Sequence, residues 1–219
     1  MRKIPFVSGE YYHLYNRGTN KMIIFNEYKD YWRFQKLLYL CNSKETLKYS
    51  DIEISPGRAW TVERSETLVD IGVYCLMPNH FHLLIKVKNE KDASQFLLKL
   101  LTSYSTYFNK KYDRTGALFQ GKTKSEHAGN DNYLKYLFSY IHLNPLKLIE
   151  PKWKELGLKN IRKAKKYLIQ YQYSSYPEYN GINSEENKIL NRNVFPEYFT
   201  DIKDHEDEIN DWLNYNEQK

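Results

Sequence analysis

Residues 70–87 read DIGVYCLM-PN-HFHLLIKV. Two apolar runs of strand length flank Pro78-Asn79, the pattern of two antiparallel strands joined by a tight turn. The second run opens His80-Phe81-His82. Side chains two apart on a strand project to the same face, so both imidazoles share one side of a sheet and Phe81 packs on the other. Such a pair can reach one divalent ion and leave it positions for substrate. His-x-His alone is a weak signal, because surface or half-buried histidines occur at this spacing for no chemical reason.

Working outward, residues 10–17 (EYYHLYNR) form an aromatic strand closed by Gly18. Asn26 is placed to cap a helix running to Cys41, with Tyr31, Phe34, Leu37, Leu38 and Cys41 at helical spacing. Residues 42–68 are polar, contain Ser55-Pro56-Gly57, and read as an irregular insertion or a small hairpin. Residues 91–112 form a helix with the stripe Phe96, Leu97, Leu100, Leu101, Tyr104, Phe108 and Tyr112, broken by Arg114-Thr115-Gly116. A strand is expected over 117–128. Asn130 or Asp131 then caps a helix whose apolar face is Leu134, Leu137, Phe138 and Ile141, and Pro145 ends it. Strand, helix, strand, strand, helix, strand, helix is the order of an α+β, ferredoxin-like sandwich: a central antiparallel sheet carries the His-x-His strand, and the helices lie mainly on one face. Residues 1–150 are assigned to this domain and 151–219 to a basic-then-acidic C-terminal extension packed on or beside it.

Composition narrows the partners. The chain has 219 residues, 33 Lys+Arg against 27 Asp+Glu, and 21 tyrosines. Basic residues crowd 152–166, where Glu155 is the lone acid, and the balance turns acidic from 167 onward. A basic body with an acidic tail suits a phosphate-gripping surface, and abundant aromatic rings suit unpaired bases. No apolar run approaches the roughly 18 residues of a membrane span, and no signal-peptide pattern opens the chain. Cys41 and Cys75 lack metal-ligand spacing and are expected to be buried thiols in a reduced cytoplasm.

The last helix adds chemistry to the histidine pair. Tyr140 and Asn144 lie four residues apart, on one helix face. Asn144 offers a carbonyl oxygen to a metal and Tyr140 a phenol, which together suit phosphoryl transfer through a covalent intermediate. Tyr133 and Tyr136 share roughly that face and are alternative nucleophiles. His142 lies elsewhere on the helix and reads as structural. His13 is either a group supporting the site or a core residue.

The run 77–84, MPNHFHLL, resembles the His-hydrophobic-His motif of HUH endonucleases, and 140–145, YIHLNP, resembles the catalytic-helix signature of their single-tyrosine transposase branch. With Tyr12-His13 through Arg17-Gly18, Phe25, 116–124 (GALFQGKTK) and 173–181 (YSSYPEYNG), the chain is similar to the REP-associated tyrosine transposases over about 11–181. The resemblance implies His80, His82 and Asn144 as ligands of Mg²⁺ or Mn²⁺ and Tyr140 as nucleophile. It also implies cleavage of single-stranded DNA near imperfect hairpins, leaving a 5′-phosphotyrosine and a free 3′-hydroxyl. Departures are the long 42–68 segment, the acidic tail after Gly181, and Leu146-Lys147-Leu148 in place of a small residue plus arginine, expected to lie outside the chemistry.

Arg17, Lys110, Lys111, Arg114, Lys122, Lys124, Arg162, Lys163, Lys165 and Lys166 are the expected DNA contacts, supplying salt-sensitive, sequence-independent affinity. The partner is single-stranded or hairpin DNA, and the protein acts as a monomer or homodimer. The alternative reading is a catalytically retired protein that binds hairpin DNA without cutting it.

Overall fold

A computed structural model of the protein describes residues 5–45, 58–64, 66–198 and 202–214. Strand β1 (Tyr11–Arg17) is followed by helix α1 (Tyr28–Leu40), the hairpin of β2 (Val69–Met77) and β3 (His80–Val87), helix α2 (Glu90–Lys111), β4 (Lys124–His127) and helix α3 (Asp131–His142). The antiparallel sheet has the order β2-β3-β1-β4. Each crossover, β1-α1-β2 and β3-α2-β4, skips one strand, which is the ferredoxin-like arrangement expected from the sequence. Most of the 42–68 insertion lies outside the described residues; 58–61 form a 3₁₀ turn.

Alternation along the strands builds the two faces. Phe81, Leu83, Ile85 and Val87 of β3 join Tyr12 and Leu14 of β1 in a core closed by α1 and α2, with Phe34, Leu37, Leu38, Phe96, Leu100, Tyr104 and Phe108 buried against them. Each such side chain removed from water contributes about 1.5–3 kcal/mol. The other face carries His80, His82 and Leu84. Leu84 packs under Leu134, Leu137, Phe138 and Ile141 of α3. Thus α1 and α2 share one face, and α3 covers the other.

A bulge in β2 keeps that strand in step. Ile71 opposes Ile85 and Val73 opposes Leu84, so Gly72 and Val73 together face one residue of β3. Ile71 consequently points into the first core and Val73 into the second. Gly72 is needed here, since a Cβ at this position would lie 2.7 Å from the Phe195 ring that seats on the sheet.

The strand expected over 117–128 is shorter than the sequence suggested. Gly121, at φ +64°, turns the chain, and only Lys124–His127 pairs with β1 as a strand. Leu118 and Gln120 instead tie to the end of β1 through Thr19 N–H to Leu118 O and Gln120 N–H to Arg17 O, both at 2.8–2.9 Å. Helix α1 starts one residue later than expected: Glu27 caps it, sharing a capping box with Asp30. Asn130 caps α3, its side-chain oxygen accepting from Tyr133 N–H at 2.8 Å.

Beyond residue 150 come α4 (Trp153–Leu156), α5 (Ile161–Gln170), α6 (Tyr176–Tyr179) and α7 (Ile202–Asn214). Residues 173–175 lie along the outer edge of β2, with Leu76 N–H to Tyr173 O and Ser175 N–H to Tyr74 O at 2.8 and 3.0 Å, which caps an otherwise unpaired strand. Trp153, Leu168, Ile209 and Leu213 pack around Leu143 and Leu146 at the end of α3. Helix α7 adds Lys135–Glu208 at 2.7 Å and His142 Nδ1···His205 Nε2 at 3.1 Å. Cys41 and Cys75 are buried thiols, not joined in a disulfide. No helix among the described residues is long and apolar enough to cross a membrane.

Two polar features inside this frame give measurable expectations. Asp30 is fully buried and accepts from Lys111 Nζ at 2.5 Å, Tyr112 Oη at 2.7 Å and Tyr107 Oη at 2.9 Å. Burial opposes its ionisation, but those donors outweigh it and hold the carboxyl below its ordinary pKa. Asp30→Ala leaves the Tyr107 and Tyr112 hydroxyls and the Asn26 and Glu27 N–H groups without their acceptor, while Lys111 keeps Glu27, and should cost about 2–4 kcal/mol in urea unfolding; a loss under about 1 kcal/mol would refute this role. His205, buried and flanked by Arg192, is pushed down to about 4, and burial and His205 lower His142 as well. Both are therefore neutral when folded. Their contribution is complete above about pH 6.5 and is lost as pH falls toward 4, because the unfolded imidazoles take up protons first. The stability of wild type relative to His205→Phe should fall between pH 7 and pH 4.5; a constant difference would contradict the pairing.

Candidate active site

The sheet face beneath α3 is set by strand register. Tyr15 faces His82, Arg17 faces His80, and Cys75 and Met77 flank the pair from β2. On the far side of β1, Glu126 faces His13 and Lys124 faces Tyr15. Residues directly opposite share a face, so His13, Tyr15, Arg17, His80, His82, Lys124 and Glu126 form one polar surface, in a sheet whose reverse carries the larger apolar core with Asn16, Ser125 and His127 toward its β4 edge.

Each ring nitrogen of the pair has a defined role. His80 Nδ1 bonds Asn79 Oδ1 at 2.6 Å, and His82 Nδ1 bonds His13 Nε2 at 2.8 Å. The His13 and His82 rings stack at 5.1 Å. In both His80 and His82 the Nε2 atom is left for another partner. His13 and His82 are buried, and His80 is half-buried. Burial first, then Lys147 and Arg17, press His80 down to about 4; burial, His13, His80 and Lys147 put His82 well below its ordinary value. Both are neutral at pH 7, the state in which imidazole binds metal.

Helix α3 lays a tyrosine ladder over this surface. Tyr133 stacks on Tyr136 at 6.0 Å and Tyr136 on Tyr140 at 5.5 Å. Only Tyr140 meets the histidines: its ring stands edge-on to His82 at 5.8 Å and to His13 at 5.9 Å. Tyr133 Oη donates to Glu126 at 3.1 Å, and Tyr136 packs on Trp212 at 5.2 Å. Burial and Glu126 raise the Tyr140 pKa, opposed by a hydrogen bond from Asn144. The phenol is thus protonated at neutral pH and needs nearby positive charge to react. Two ammonium groups are at hand, Lys154 Nζ 4.6 Å and Lys147 Nζ 5.7 Å from the ring centre.

Asn144 is buried one turn after Tyr140. Its amide donates to Tyr140 O at 2.8 Å, and its Oδ1 accepts from Lys147 Nζ at 3.0 Å. Among the described residues no group of three or more His, Cys, Asp or Glu is arranged to hold a metal. Any ion on this face would depend on the two Nε2 atoms, on Asn144 Oδ1 once Lys147 yields it, and on substrate oxygens. Two neutral imidazoles with Nδ1 engaged and Nε2 left over fit that demand.

The expected DNA-contact residues divide. Arg17 borders His80 and bonds Gln120 Oε1 through Nε. Lys124 lies on the site face, 5.7 Å over the Tyr15 ring. Lys122 is exposed in the turn before β4, and Lys110 is exposed on α2. Arg114 bonds Asn109 Oδ1 at 3.0 Å. Arg162, Lys163 and Lys166 are exposed and Lys165 half-exposed along α5. Lys111 departs from expectation, because Glu27 at 2.6 Å and Asp30 at 2.5 Å already neutralise it. Lys147, in the 146–148 stretch expected to lie outside the chemistry, bonds Asn144 Oδ1 and flanks the Tyr140 ring. Glu126, Tyr15 and Lys154 were also missed. Glu126 and Tyr15 meet the histidines only through strand pairing, and Lys154 reaches Tyr140 only because α4 folds back, so neither leaves a local motif.

Residues 36–144 match the family described as "Transposase IS200 like". The fold is similar to that of a REP-associated tyrosine transposase solved bound to a REP hairpin, with 12% identity, a TM-score of 0.50, and coverage of 85% of this chain and 88% of that one. No curated protein matches the chain significantly. A hairpin that carries His-x-His into the sheet, and a helix that returns a tyrosine to it, lie within or at the edge of the matched residues; the chain belongs to the IS200-like transposase family.

Proposed function

We propose that this transposase cuts and rejoins single-stranded DNA at hairpin-containing sites, with Tyr140 as nucleophile. The observation that carries the reading is the edge-on contact of Tyr140, alone among the three ladder tyrosines, with the His82 ring of its own chain. A DNA strand laid between α3 and the sheet would bring a phosphodiester to the phenol. Tyr140 Oη bonds to phosphorus, the bond to the 3′ oxygen breaks, and the products are a 5′-phosphotyrosine and a free 3′-hydroxyl. The phosphodiester energy is kept in the tyrosyl bond, so attack by a DNA hydroxyl reverses the step and joins ends.

Lys154 and Lys147 favour the phenolate by their charge, and Arg17 and Lys124 border the same face for phosphate contact. Mg²⁺ or Mn²⁺, held by His80, His82 and Asn144, would supply a Lewis acid for the non-bridging phosphate oxygens. Hairpin DNA as substrate is favoured by the hairpin bound to the structurally similar transposase.

The test is a denaturing gel of wild type and the Tyr140→Phe, Tyr133→Phe and Tyr136→Phe variants with single-stranded hairpin DNA from the flank of the gene. Wild type, Tyr133→Phe and Tyr136→Phe should form a covalent adduct with Mg²⁺ or Mn²⁺ and none with chelator, while Tyr140→Phe forms none. An adduct that persists in Tyr140→Phe would sink the assignment. Tight hairpin binding with no adduct in wild type would favour a protein that binds without cutting. His80→Ala and His82→Ala should each slow adduct formation by about 100-fold or more.

A further inference from the structure

His13 bonds one of the histidines without belonging to the ligand set. Its Nε2 lies 2.8 Å from His82 Nδ1, and its own Nδ1 is buried with no hydrogen-bond partner, 3.9 Å from Glu126 Oε2. Glu126 is in turn held by two phenols, Tyr15 Oη donating to Oε1 at 2.6 Å and Tyr133 Oη to Oε2 at 3.1 Å. We propose that Glu126 and His13 are positioning residues that fix His82 in its Nδ1–H tautomer, so that the Nε2 lone pair faces the site. The inference deepens the metal reading above and rests on it for its purpose, though not for its geometry.

One proton lies between His13 Nε2 and His82 Nδ1, and the two possible placements are not equivalent. If His13 carried it, His13 Nδ1 would turn a bare lone pair toward the Glu126 carboxylate, and His82 would present an Nε2–H that repels a cation. With the proton on His82 Nδ1, His13 is protonated at Nδ1, that N–H faces the carboxylate, and His82 Nε2 is a free donor to a metal. His80 reaches the same state independently, because Asn79 Oδ1, an acceptor, takes its Nδ1–H at 2.6 Å. The two imidazoles thus leave like atoms unengaged on one sheet face through different supports, the arrangement that orients metal-binding histidines in general.

The relay is written into the sheet. Glu126 faces His13 across the β4–β1 ladder, and His13 sits diagonally from His82 across β1–β3. Tyr133 ties the carboxylate to α3, the helix that carries Tyr140. This gives the first tyrosine of the ladder a purpose other than nucleophilic attack, and it links the seat of the helix to the setting of the ligand.

The tautomers can be read directly in metal-free, full-length protein by long-range ¹H–¹⁵N correlation of labelled histidines at pH 7.5. His80 and His82 should both be protonated at Nδ1. His13→Phe keeps a ring but removes the acceptor, so His82 should become a tautomer mixture while His80 is unchanged. Mn²⁺ affinity, measured by calorimetry, should fall about 10-fold or more. His13→Gln, which restores an acceptor oxygen, should recover much of both. Glu126→Leu, at an exposed position, should shift the His82 tautomer in the same direction as His13→Phe with the fold intact.

An Nε2–H tautomer of His82 in wild type would overturn the proposal. So would an unchanged His82 spectrum, with Mn²⁺ affinity within about twofold, in both His13→Phe and Glu126→Leu. Wild type with the stated tautomers but no Mn²⁺ binding would leave the relay standing and remove the metal reading.

Discussion

Everything on the active face depends on which way β3 points. Phe81, Leu83, Ile85 and Val87 are drawn into the core under α1 and α2, and the pleat then leaves His80 and His82 no choice of side. A slip of one residue would bury both imidazoles in an apolar layer and expose four large side chains, a cost of several kcal/mol at about 1.5–3 kcal/mol for each. The hydrophobic core therefore fixes the side on which the histidines stand without touching them. The bulge at Gly72 extends the same control to β2, since it brings Cys75 and Met77 onto the histidine side.

Tyrosine delivery is a separate packing problem. Helix α3 is seated by Leu134, Leu137, Phe138 and Ile141, and the aromatic ladder runs along the neighbouring flank of the same helix. The chain beyond residue 150 braces that seat from outside, with Leu143 and Leu146 enclosed by Trp153, Leu168 and Leu213. Tyr179 Oη and Tyr171 Oη reach back to the β2 carbonyls of Gly72 and Leu76 at 3.0 and 2.7 Å. Part of the tyrosine excess in this composition is thus spent on long-range hydrogen bonds in the scaffold. The α3 ladder and Tyr15, by contrast, lie on the histidine side of the sheet.

Much of this could be read from the residues. The strand pair around Pro78-Asn79, the bounds of β3, and the start and apolar face of α3 follow from period-2 and period-3.6 patterns that local sequence carries. The strand expected over 117–128 failed because apolar and basic residues there look strand-like while Gly121 turns the chain and only four residues pair. Glu126 and Tyr15 were invisible for a different reason: their neighbours are chosen by register across β1, a long-range property with no spacing to reveal it. Lys147 lies where the chain departs from the resembling family's pattern, yet its ammonium meets Asn144 Oδ1. Motif reading finds residues that share a local spacing more readily than those brought beside them by register.

The central claim is that His80 and His82 offer their Nε2 atoms to one divalent ion in front of Tyr140. Anomalous diffraction from crystals grown with Mn²⁺ addresses it directly. The account requires a single Mn²⁺ peak within coordination distance of both Nε2 atoms, with Asn144 Oδ1 turned to the ion and Lys147 displaced from it. No peak at this position, or a peak ligated through Nδ1 of either histidine, would contradict the account.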